Sequence, residues 1–216
     1  MTDERIALVT ERLVLEPIEP RHADALWQAK EASLDALRLW MAWGEQPRED
    51  QDEFVRAAHE RWGDGEWVYA IIFSDEPVGT IGVDHYQPMF ASAEIGYWLR
   101  SDLSGRGLMT EAAAAVIEYS FVELGIHRLE LRSGVENHGS LRVAEKLGFK
   151  RGGILRHASK NAWAYYDVYV FDLLATDART AVRREGSSAD QRPETLRDGG
   201  PAKSGLERRG TSARNA

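Results

Sequence analysis

Residues 93–125 constrain the fold more than any other part of the chain. They read as a buried strand, a polar turn that contains two glycines, and a long alanine-rich helix. Apolar residues recur along this helix with helical spacing on two faces, Leu108, Ala112, Ala115, Tyr119 and Val122 on the first and Ala113, Ile117, Phe121 and Leu124 on the second. A helix that is apolar on two faces packs against a sheet. We therefore expect a strand–turn–helix unit.

The turn in this unit predicts a site for an anion such as a phosphate. Gly105 and Gly107 allow a ligand to approach the backbone closely, and Arg106 adds a positive charge. The first amides of a helix lack intrahelical acceptors, and the helix dipole favours negative charge there. A dinucleotide-binding turn would have a third glycine where Thr110 stands. A tight turn without a ligand is the alternative that a lone Gly-x-Gly leaves open.

Two blocks of sequence stand out, namely EIGYWL followed by GRGLMTEA, and NHGSLRVAEKLGF, which begins at Asn137. They resemble the acyl-CoA-binding core of the GNAT acetyltransferase superfamily. Together they are most similar to the RimJ/RimL branch, which acetylates protein N-termini and some small amines. The resemblance covers residues 10–174. It implies an α/β GNAT fold, with a mixed, largely antiparallel sheet whose central strands splay apart and are flanked by helices.

Hydrophobic periodicity along the chain is consistent with this fold. Besides the central helix, it predicts strands over 12–18, 67–73, 78–86, 94–99, 128–135, 153–157 and 164–174, and helices over 22–32, 34–41, 50–62 and 139–147. The third of the predicted helices should turn Phe54, Ala57 and Ala58 inward. Residues 74–77 should form the turn of an antiparallel hairpin.

Charge divides the chain into two parts. Residues 177–216 hold 9 Lys/Arg and 6 Asp/Glu with almost no large apolar side chain, whereas the preceding 18 basic and 29 acidic residues carry a formal charge of −11. We therefore expect a GNAT domain over 1–176 and a disordered tail over 177–216. The acidic domain argues against direct binding of nucleic acid.

Composition also narrows the chemistry and the location. The chain contains no cysteine, which excludes a disulfide, a thiol nucleophile and a thiolate metal site. No stretch reads as a signal peptide or a membrane span. We expect a cytoplasmic protein that uses no metal and does not bind a membrane.

The resemblance implies acetyl-CoA as the acyl donor. The backbone amides expected to hold its pyrophosphate are those of Gly105, Arg106, Gly107, Met109 and Thr110. The backbone of Tyr97, Trp98 and Leu99, on a bulged and splayed strand that contains Gly96, would polarise the thioester carbonyl. Lys146 is assigned to the same ligand, as is Asn137, which could equally be a helix N-cap. Asp102 departs from the superfamily, which usually has Gln or Arg there.

Two residues are predicted to carry the chemistry. Glu94 on the splayed strand is expected to be the general base, with a solvated edge carboxylate as the alternative. Many superfamily members carry a Tyr acid at the position of Ala144. The RimJ/RimL branch instead has a serine where Ser140 stands, and its hydroxyl would donate a hydrogen bond to the thiolate. Some RimL-like enzymes take their base from the position of Ser159, a route that is absent here.

Three residues are assigned to the acceptor. Trp40 and Trp43 would wall its slot, although core packing is the more common use of Trp. His85 is placed on the same side, and with His138 it is a secondary candidate for the base because histidine titrates near neutral pH.

The sequence thus predicts an N-acetyltransferase that moves an acetyl group from acetyl-CoA to a primary amine. The expected acceptor is the α-amine of a protein or peptide N-terminus, such as that of a basic ribosomal protein. A small amine, either an antibiotic or a polyamine, is one alternative acceptor. A CoA-binding module without turnover is the other alternative.

Overall fold

The computed structural model describes residues 4–177, and its strands form one mixed sheet. The strands are β1 Leu8–Val9, β2 Val14–Pro17, β3 Trp67–Phe73, β4 Glu76–Gln87, β5 Ser92–Leu99, β6 Arg128–Gly134, β7 Lys150–Lys160 and β8 Tyr165–Leu174. Their order in the sheet is β1-β2-β3-β4-β5-β6-β8-β7. All neighbouring strands are antiparallel except β5 and β6, which are parallel.

Helices cover both faces of this sheet. They are α1 Ala23–Glu31, α2 Leu34–Leu37, α3 Arg48–Glu60, α4 Leu108–Val122 and α5 His138–Lys146, with short 3-10 helices at Pro20–His22, Ala42–Glu45 and Ser101–Leu103. Side chains alternate along a strand, so β5 contributes Ile95 to the apolar cluster beneath α4 and α5 and Trp98 to the cluster beneath α1 and α3. The fold is therefore the predicted α/β arrangement of helices around a largely antiparallel sheet.

The central helix buries the stripes that its sequence predicts, except that Ala115 is only partly buried and Val122 is exposed. Ala113, Ile117 and Leu124 of the second stripe are all buried. In the first stripe, the prediction for Val122 is wrong, because this residue ends α4 and is 66% exposed. The buried stripe therefore stops one turn before the end of the helix.

The third predicted helix is rotated relative to expectation. Its inward face consists of Gln51, Val55 and Ala58, which have helical spacing, and the helix begins at Arg48. Of the three residues expected to point inward, Ala58 is buried, Ala57 is partly buried and Phe54 is 40% exposed. The buried face of α3 passes through Gln51, Val55 and Ala58, so the ring of Phe54 lies beside this face rather than on it.

Other element boundaries differ by a few residues. The first hairpin turn has two residues, because Phe73 already pairs with Glu76, and Ser74 and Asp75 adopt positive φ angles of 52° and 64°. The helix expected over 34–41 ends at Leu37 and is followed by the 3-10 helix Ala42–Glu45. The two-residue strand β1 was not predicted, because it is too short to show a period.

The parallel strands β5 and β6 part soon after they meet. They pair at three positions, Ser92 with Arg128, Ala93 with Leu129 and Glu94 with Glu130. Beyond Glu94, β5 pairs with β4 and β6 pairs with β8. The expected splay is present, and it leaves one backbone edge of β5 open.

The predicted tail over 177–216 lies, apart from Asp177, outside the described residues. No helix in the described range 4–177 is long and apolar enough to cross a membrane. Within the same range, no group of three or more His, Asp or Glu residues is arranged to hold a metal ion.

Candidate functional site

Two cavities lie on either side of the open half of β5. The first, which we call the turn cavity, has a volume of ≈ 290 Å³ and is bounded by the turn before α4, by β5 and by α5. The second, which we call the α3 cavity, has a volume of ≈ 470 Å³ and lies between α3, β4 and β5. Met41, Tyr97 and Trp98 line both cavities. A ligand group that reaches Tyr97 from one cavity therefore comes close to the other.

The glycine turn gives the turn cavity an anion-binding character. Gly105 and Gly107 adopt left-handed φ angles of 78° and 80°, and Gly107 is the N-cap of α4. The first helical hydrogen bond runs from Glu111 N to Gly107 O at 3.0 Å, so the preceding amides of the first turn lack intrahelical acceptors. A Cβ atom on Gly105 would meet no atom within 4 Å, which leaves open space above the backbone. The turn has the geometry of a phosphate cradle.

Residues near the N-terminus hold this turn in place. Glu111 Oε1 accepts hydrogen bonds from Thr10 Oγ1 at 2.6 Å and from Arg12 N at 2.8 Å. Arg12 also forms an ion pair with Glu111 Oε2 at 2.6 Å and donates to the carbonyl of Arg106 at 3.0 Å. Burial acts to raise the pKa of Glu111, but the hydrogen bonds from Thr10 and Arg12 outweigh it and lower the pKa. Glu111 is therefore a fixed anion that anchors the turn.

Most residues predicted to bind the donor do line the turn cavity. They are Tyr97, Trp98, Leu99, Gly105, Gly107, Met109, Thr110, Asn137, Ser140 and Lys146. The exception is Arg106, which is absent from the lining and contributes its carbonyl to Arg12. Arg142 lines the cavity without having been predicted, and it adds a second cation beside Lys146. Asp102 lies outside the lining and pairs with Arg100 at 2.8 Å.

Gly96 does not mark a bulge. The pairing of β5 with β4 is continuous from Leu99 through Gly96 to Glu94, and the irregularity lies in β4 between Asp84 and Gln87. A Cβ atom on Gly96 would meet nothing within 4 Å, so the glycine does not avoid a clash with the protein. Gly96 instead lines the α3 cavity, where the missing side chain leaves room.

The side chain of Tyr97 places a phenol in the turn cavity. The sequence predicted a role for the backbone of this residue but none for its side chain. Its hydroxyl lies 3.0 Å from Ser140 Oγ, and burial raises the pKa of Tyr97 to about 12. Asn137 Oδ1 accepts a hydrogen bond from Ser140 N at 3.1 Å, which shows that Asn137 is the N-cap of α5. Ala144, at the position of the superfamily tyrosine, is buried in the core. A strand rather than a helix thus supplies the phenol.

The carboxylates near β5 are distributed differently from expectation. Glu94 Oε1 pairs with Arg132 at 3.1 Å, and Glu94 lies outside the lining of both cavities. Asp84 is its cross-strand neighbour on β4 and does line the α3 cavity. The role of Glu94 as base stays a prediction, and Asp84 is a second carboxylate on the same face of the sheet.

His85 lies outside the lining of both cavities and contacts Asp84, which lines the α3 cavity. Its side chain is 72% exposed, and its Nδ1 is 2.8 Å from Asp84 Oδ1. This hydrogen bond, followed by the charge of Asp84, raises the pKa of His85. His85 is absent from the lining, so the group that faces a ligand here is Asp84.

The two predicted tryptophans are divided between the cavities. Trp43 lines the α3 cavity with Phe54 and Trp98, and its ring centroid lies 6.1 Å from that of Trp98. Trp40 lines the turn cavity and packs edge-on against Tyr166, with ring centroids 6.3 Å apart. The hydroxyl of Tyr166 donates to Trp40 O and accepts from Ser159 Oγ, the latter at 2.9 Å. Ser159 therefore helps to fix Trp40.

Two buried polar side chains from helices belong to the surroundings of the α3 cavity, Lys30 behind its wall and Gln51 in its lining. Lys30 is 1% exposed, donates from Nζ to Gln46 O at 2.8 Å and places its ammonium 6.0 Å from the centroid of the Trp43 ring. Gln51 is 6% exposed and lines the cavity, and its Nε2 has no hydrogen-bond partner in the described part of the chain. Lys30 thus secures one wall, and Gln51 adds an unpaired amide to another.

Comparison with known proteins identifies this arrangement. The acetyltransferase (GNAT) domain family matches residues 12–150. The chain belongs to the GNAT acetyltransferase family. The ribosomal-protein-serine acetyltransferase of Escherichia coli (strain K12) is 29% identical over 168 residues, which cover 76% of this GNAT chain and 93% of that protein. N-acetyltransferase p20 of Bacillus licheniformis is 36% identical over 101 residues. This match covers 47% of the chain and 57% of p20, so the chain spans little more than half of that relative.

Solved structures agree on the fold. Mycobacterium smegmatis RimJ in complex with CoA-disulfide superposes with a TM-score of 0.76 at 21% identity, covering 85% of this chain and 96% of that one. This GNAT protein is an N-acetyltransferase that uses acetyl-CoA. The glycine turn, the open edge of β5 and the cations of the turn cavity fit that donor.

Proposed function

We propose that this acetyltransferase modifies the α-amine of a protein or peptide N-terminus, with a basic ribosomal protein as the leading acceptor. The observation that carries this proposal is the α3 cavity, because it shares a wall at Tyr97 and Trp98 with the turn cavity and presents Asp84 to a cationic amine. The E. coli relative that acetylates a ribosomal-protein serine supports the same class of acceptor. We place the reaction in the cytoplasm, which cell fractionation can test.

The donor side of the reaction belongs to the turn cavity. When bound, acetyl-CoA supplies an activated acetyl thioester. The free amides of the turn bind phosphate, and Arg142 and Lys146 add positive charge to the same cavity. Beyond Glu94, the open edge of β5 can hydrogen-bond an extended ligand in the manner of an added strand. These groups orient the donor toward the wall that the two cavities share.

Ser140 and Tyr97 serve the leaving sulfur. Because the pKa of Tyr97 is raised to about 12 by burial, the phenol keeps its proton near neutral pH. It can then donate to Ser140 Oγ, 3.0 Å away, which leaves the hydroxyl hydrogen of Ser140 free for the thiolate. Tyr97 is therefore assigned the orientation of Ser140, and Ser140 the stabilisation of negative charge.

The acceptor amine must be neutral to attack, which favours an α-amine. With reference pKa values of ~7.7 to 8.0 for an α-amine and ~10.4 for lysine, roughly a tenth of the former and less than a thousandth of the latter is neutral at pH 7. Glu94, or Asp84 beside it, can accept the remaining proton directly or through water. The domain charge of −11 would attract a cationic acceptor at low salt.

A polyamine is the second candidate acceptor, because Asp50 and Asp84 both line the α3 cavity. Two carboxylates in one cavity suit a ligand with two ammonium groups. A polyamine would be acetylated at one end while its other ammonium pairs with the second carboxylate.

Thiol release from acetyl-CoA distinguishes these acceptors. We expect a short peptide with a free N-terminus to react faster than the same peptide with an acetylated N-terminus and one free lysine. Spermidine provides the comparison with polyamines. Equal rates for the two peptides, or activity confined to spermidine, would overturn the proposed acceptor.

A further inference from the structure

We propose that Gln51 and Asp84 together recognise the backbone of the acceptor's first residue. In this arrangement, which rests on the proposed function, the Asp84 carboxylate holds the α-ammonium and the Gln51 amide donates to the first peptide carbonyl. Gln51 would then determine the preference for a peptide over a simple amine. Asp84 would bind either kind of acceptor.

The unpaired amide of Gln51 is the first observation. The large majority of buried side-chain polar atoms in proteins have a hydrogen-bond partner. Gln51 is 6% exposed, yet its Nε2 has no partner within the described residues. Among the residues in this range with such unpaired buried atoms, Gln51 is the one that lines the turn cavity or the α3 cavity. A hydrogen-bond acceptor brought by a ligand would remove the cost of leaving this donor unpaired.

The position of Asp84 is the second observation. Asp84 lines the α3 cavity from β4, and Gln51 lines the same cavity from α3. One of its oxygens interacts with His85, and a carboxylate can accept roughly four hydrogen bonds, so capacity for an ammonium remains. Asp84 and Glu94 are cross-strand neighbours, so a second carboxylate lies next to Asp84 but outside the lining of the cavity.

The chemistry of the acceptors explains why the pair of residues discriminates. A peptide N-terminus carries its amine and a carbonyl on the same carbon atom, so it can engage both Asp84 and Gln51. A lysine side chain, a polyamine or a monoamine has no acceptor next to its amine. A site whose buried donor stays unpaired with such ligands disfavours them. Trp43, Phe54 and Trp98 provide apolar walls for the side chain of the first residue.

Two substitutions separate the two roles. The probes are the tripeptide amide Ala-Ala-Ala-NH2 and butylamine, which has an amine but no carbonyl. Gln51→Met should weaken binding of the tripeptide roughly tenfold, which is the loss expected for one buried hydrogen bond. The kcat/KM for butylamine should be unchanged. Asp84→Asn should lower kcat/KM for both probes roughly tenfold or more. Asp64→Asn removes a charge from an exposed site outside both cavities and should change neither.

Two readouts are required. Tripeptide binding is measured by calorimetry in the presence of CoA, and kcat/KM is measured for both probes by thiol release. Gln51→Met should also preserve or raise the melting temperature, because it removes an unpaired buried amide. A lowered melting temperature would show that the amide is already satisfied and would contradict the inference. Gln51→Leu, which also removes the donor and adds no charge, repeats the test.

The outcomes distinguish the two proposals. If the wild-type enzyme acetylates butylamine or spermidine but no peptide N-terminus, the proposed function fails. If the wild-type enzyme and Gln51→Met use the tripeptide equally well, the function stands and the role of Gln51 is wrong. Equal losses for tripeptide and butylamine in Gln51→Met would also overturn it, because they would show a general disturbance of the cavity.

Discussion

The turn cavity and the α3 cavity share the wall formed by β5 but are built in different ways. The turn cavity offers chiefly backbone groups, namely the amides around Gly105 and Gly107 and the open edge of β5. The α3 cavity offers side chains from separate elements, including Trp43, Gln51 and Asp84. A backbone site tolerates most substitutions that keep its conformation, whereas a side-chain site changes with each residue. One side is therefore suited to a constant donor and the other to a variable acceptor.

The sharpest test of the backbone side is Gly107→Val. A β-branched residue at a φ of 80° is strained, and its side chain would occupy the approach to the turn. Loss of about 3 kcal/mol from a few charge-assisted hydrogen bonds would weaken CoA binding roughly hundredfold or more. The measurement is the rise in melting temperature with saturating CoA, which should disappear.

Gly125→Val controls for strain in this experiment. Gly125 has a φ of 67° and no neighbour within 4 Å of its Cβ position, but it lies at the other end of α4. This variant should start from a lower melting temperature and keep the full response to CoA. If both variants lose the response, the turn is not the anchor.

On the other side of β5, Glu94→Gln should slow the reaction without affecting the donor. We expect kcat at pH 7 to fall roughly a hundredfold, the lower end of general-base effects, with CoA affinity unchanged. The loss should shrink at high pH, where the amine deprotonates by itself. Glu130→Gln is the matched control, because Glu130 also pairs with Arg132, at 2.9 Å. Coincident pH profiles for wild type and Glu94→Gln would make Glu94 structural.

At the boundary between the cavities, Ser140→Ala should lower kcat roughly tenfold and Tyr97→Phe somewhat less. Because Tyr97 is assigned a role through Ser140, the double variant should be no slower than Ser140→Ala. Tyr165→Phe, which removes an exposed phenol outside both cavities, is the control. Additive losses would show that the two hydroxyls act independently.

The smallest expected effect is that of Lys30→Met, which weakens the support of the α3 cavity wall and leaves the turn cavity unchanged. Losing the bond from Lys30 to Gln46 O and the contact with Trp43 should raise the acceptor KM by roughly threefold, because Lys30 does not line the cavity and only part of the lost interaction is transmitted to the acceptor. The thermal response to CoA should be unchanged. Lys160→Met removes a cation from an exposed aromatic ring and serves as the control. An altered CoA response would show that the cavities are coupled through Met41.

Sequence and structure agree best where the information is local. The glycine spacing of the turn and the stripes of α4 depend on residues a few positions apart, so the cradle and its helix were predictable. The splay of β5 from β6 came from the family resemblance. By contrast, Gln51 and Asp84 line the same cavity only because α3 and β4 come together in the fold. No local sequence pattern predicts that arrangement. Tyr97 reads as an ordinary strand residue until α5 brings Ser140 within 3.0 Å.

The anchor of the turn has a consequence for how this enzyme becomes active. Thr10 and Arg12 bind Glu111 across about a hundred positions of sequence, with separations of 101 and 99 residues. Neither side chain lines either of the two described cavities, yet both restrain the backbone that we propose to bind the phosphates. If the turn binds the donor as proposed, affinity for CoA depends on the docking of the first strands onto α4. A chain in which this docking is incomplete would then lose CoA binding even where the rest of the domain is folded.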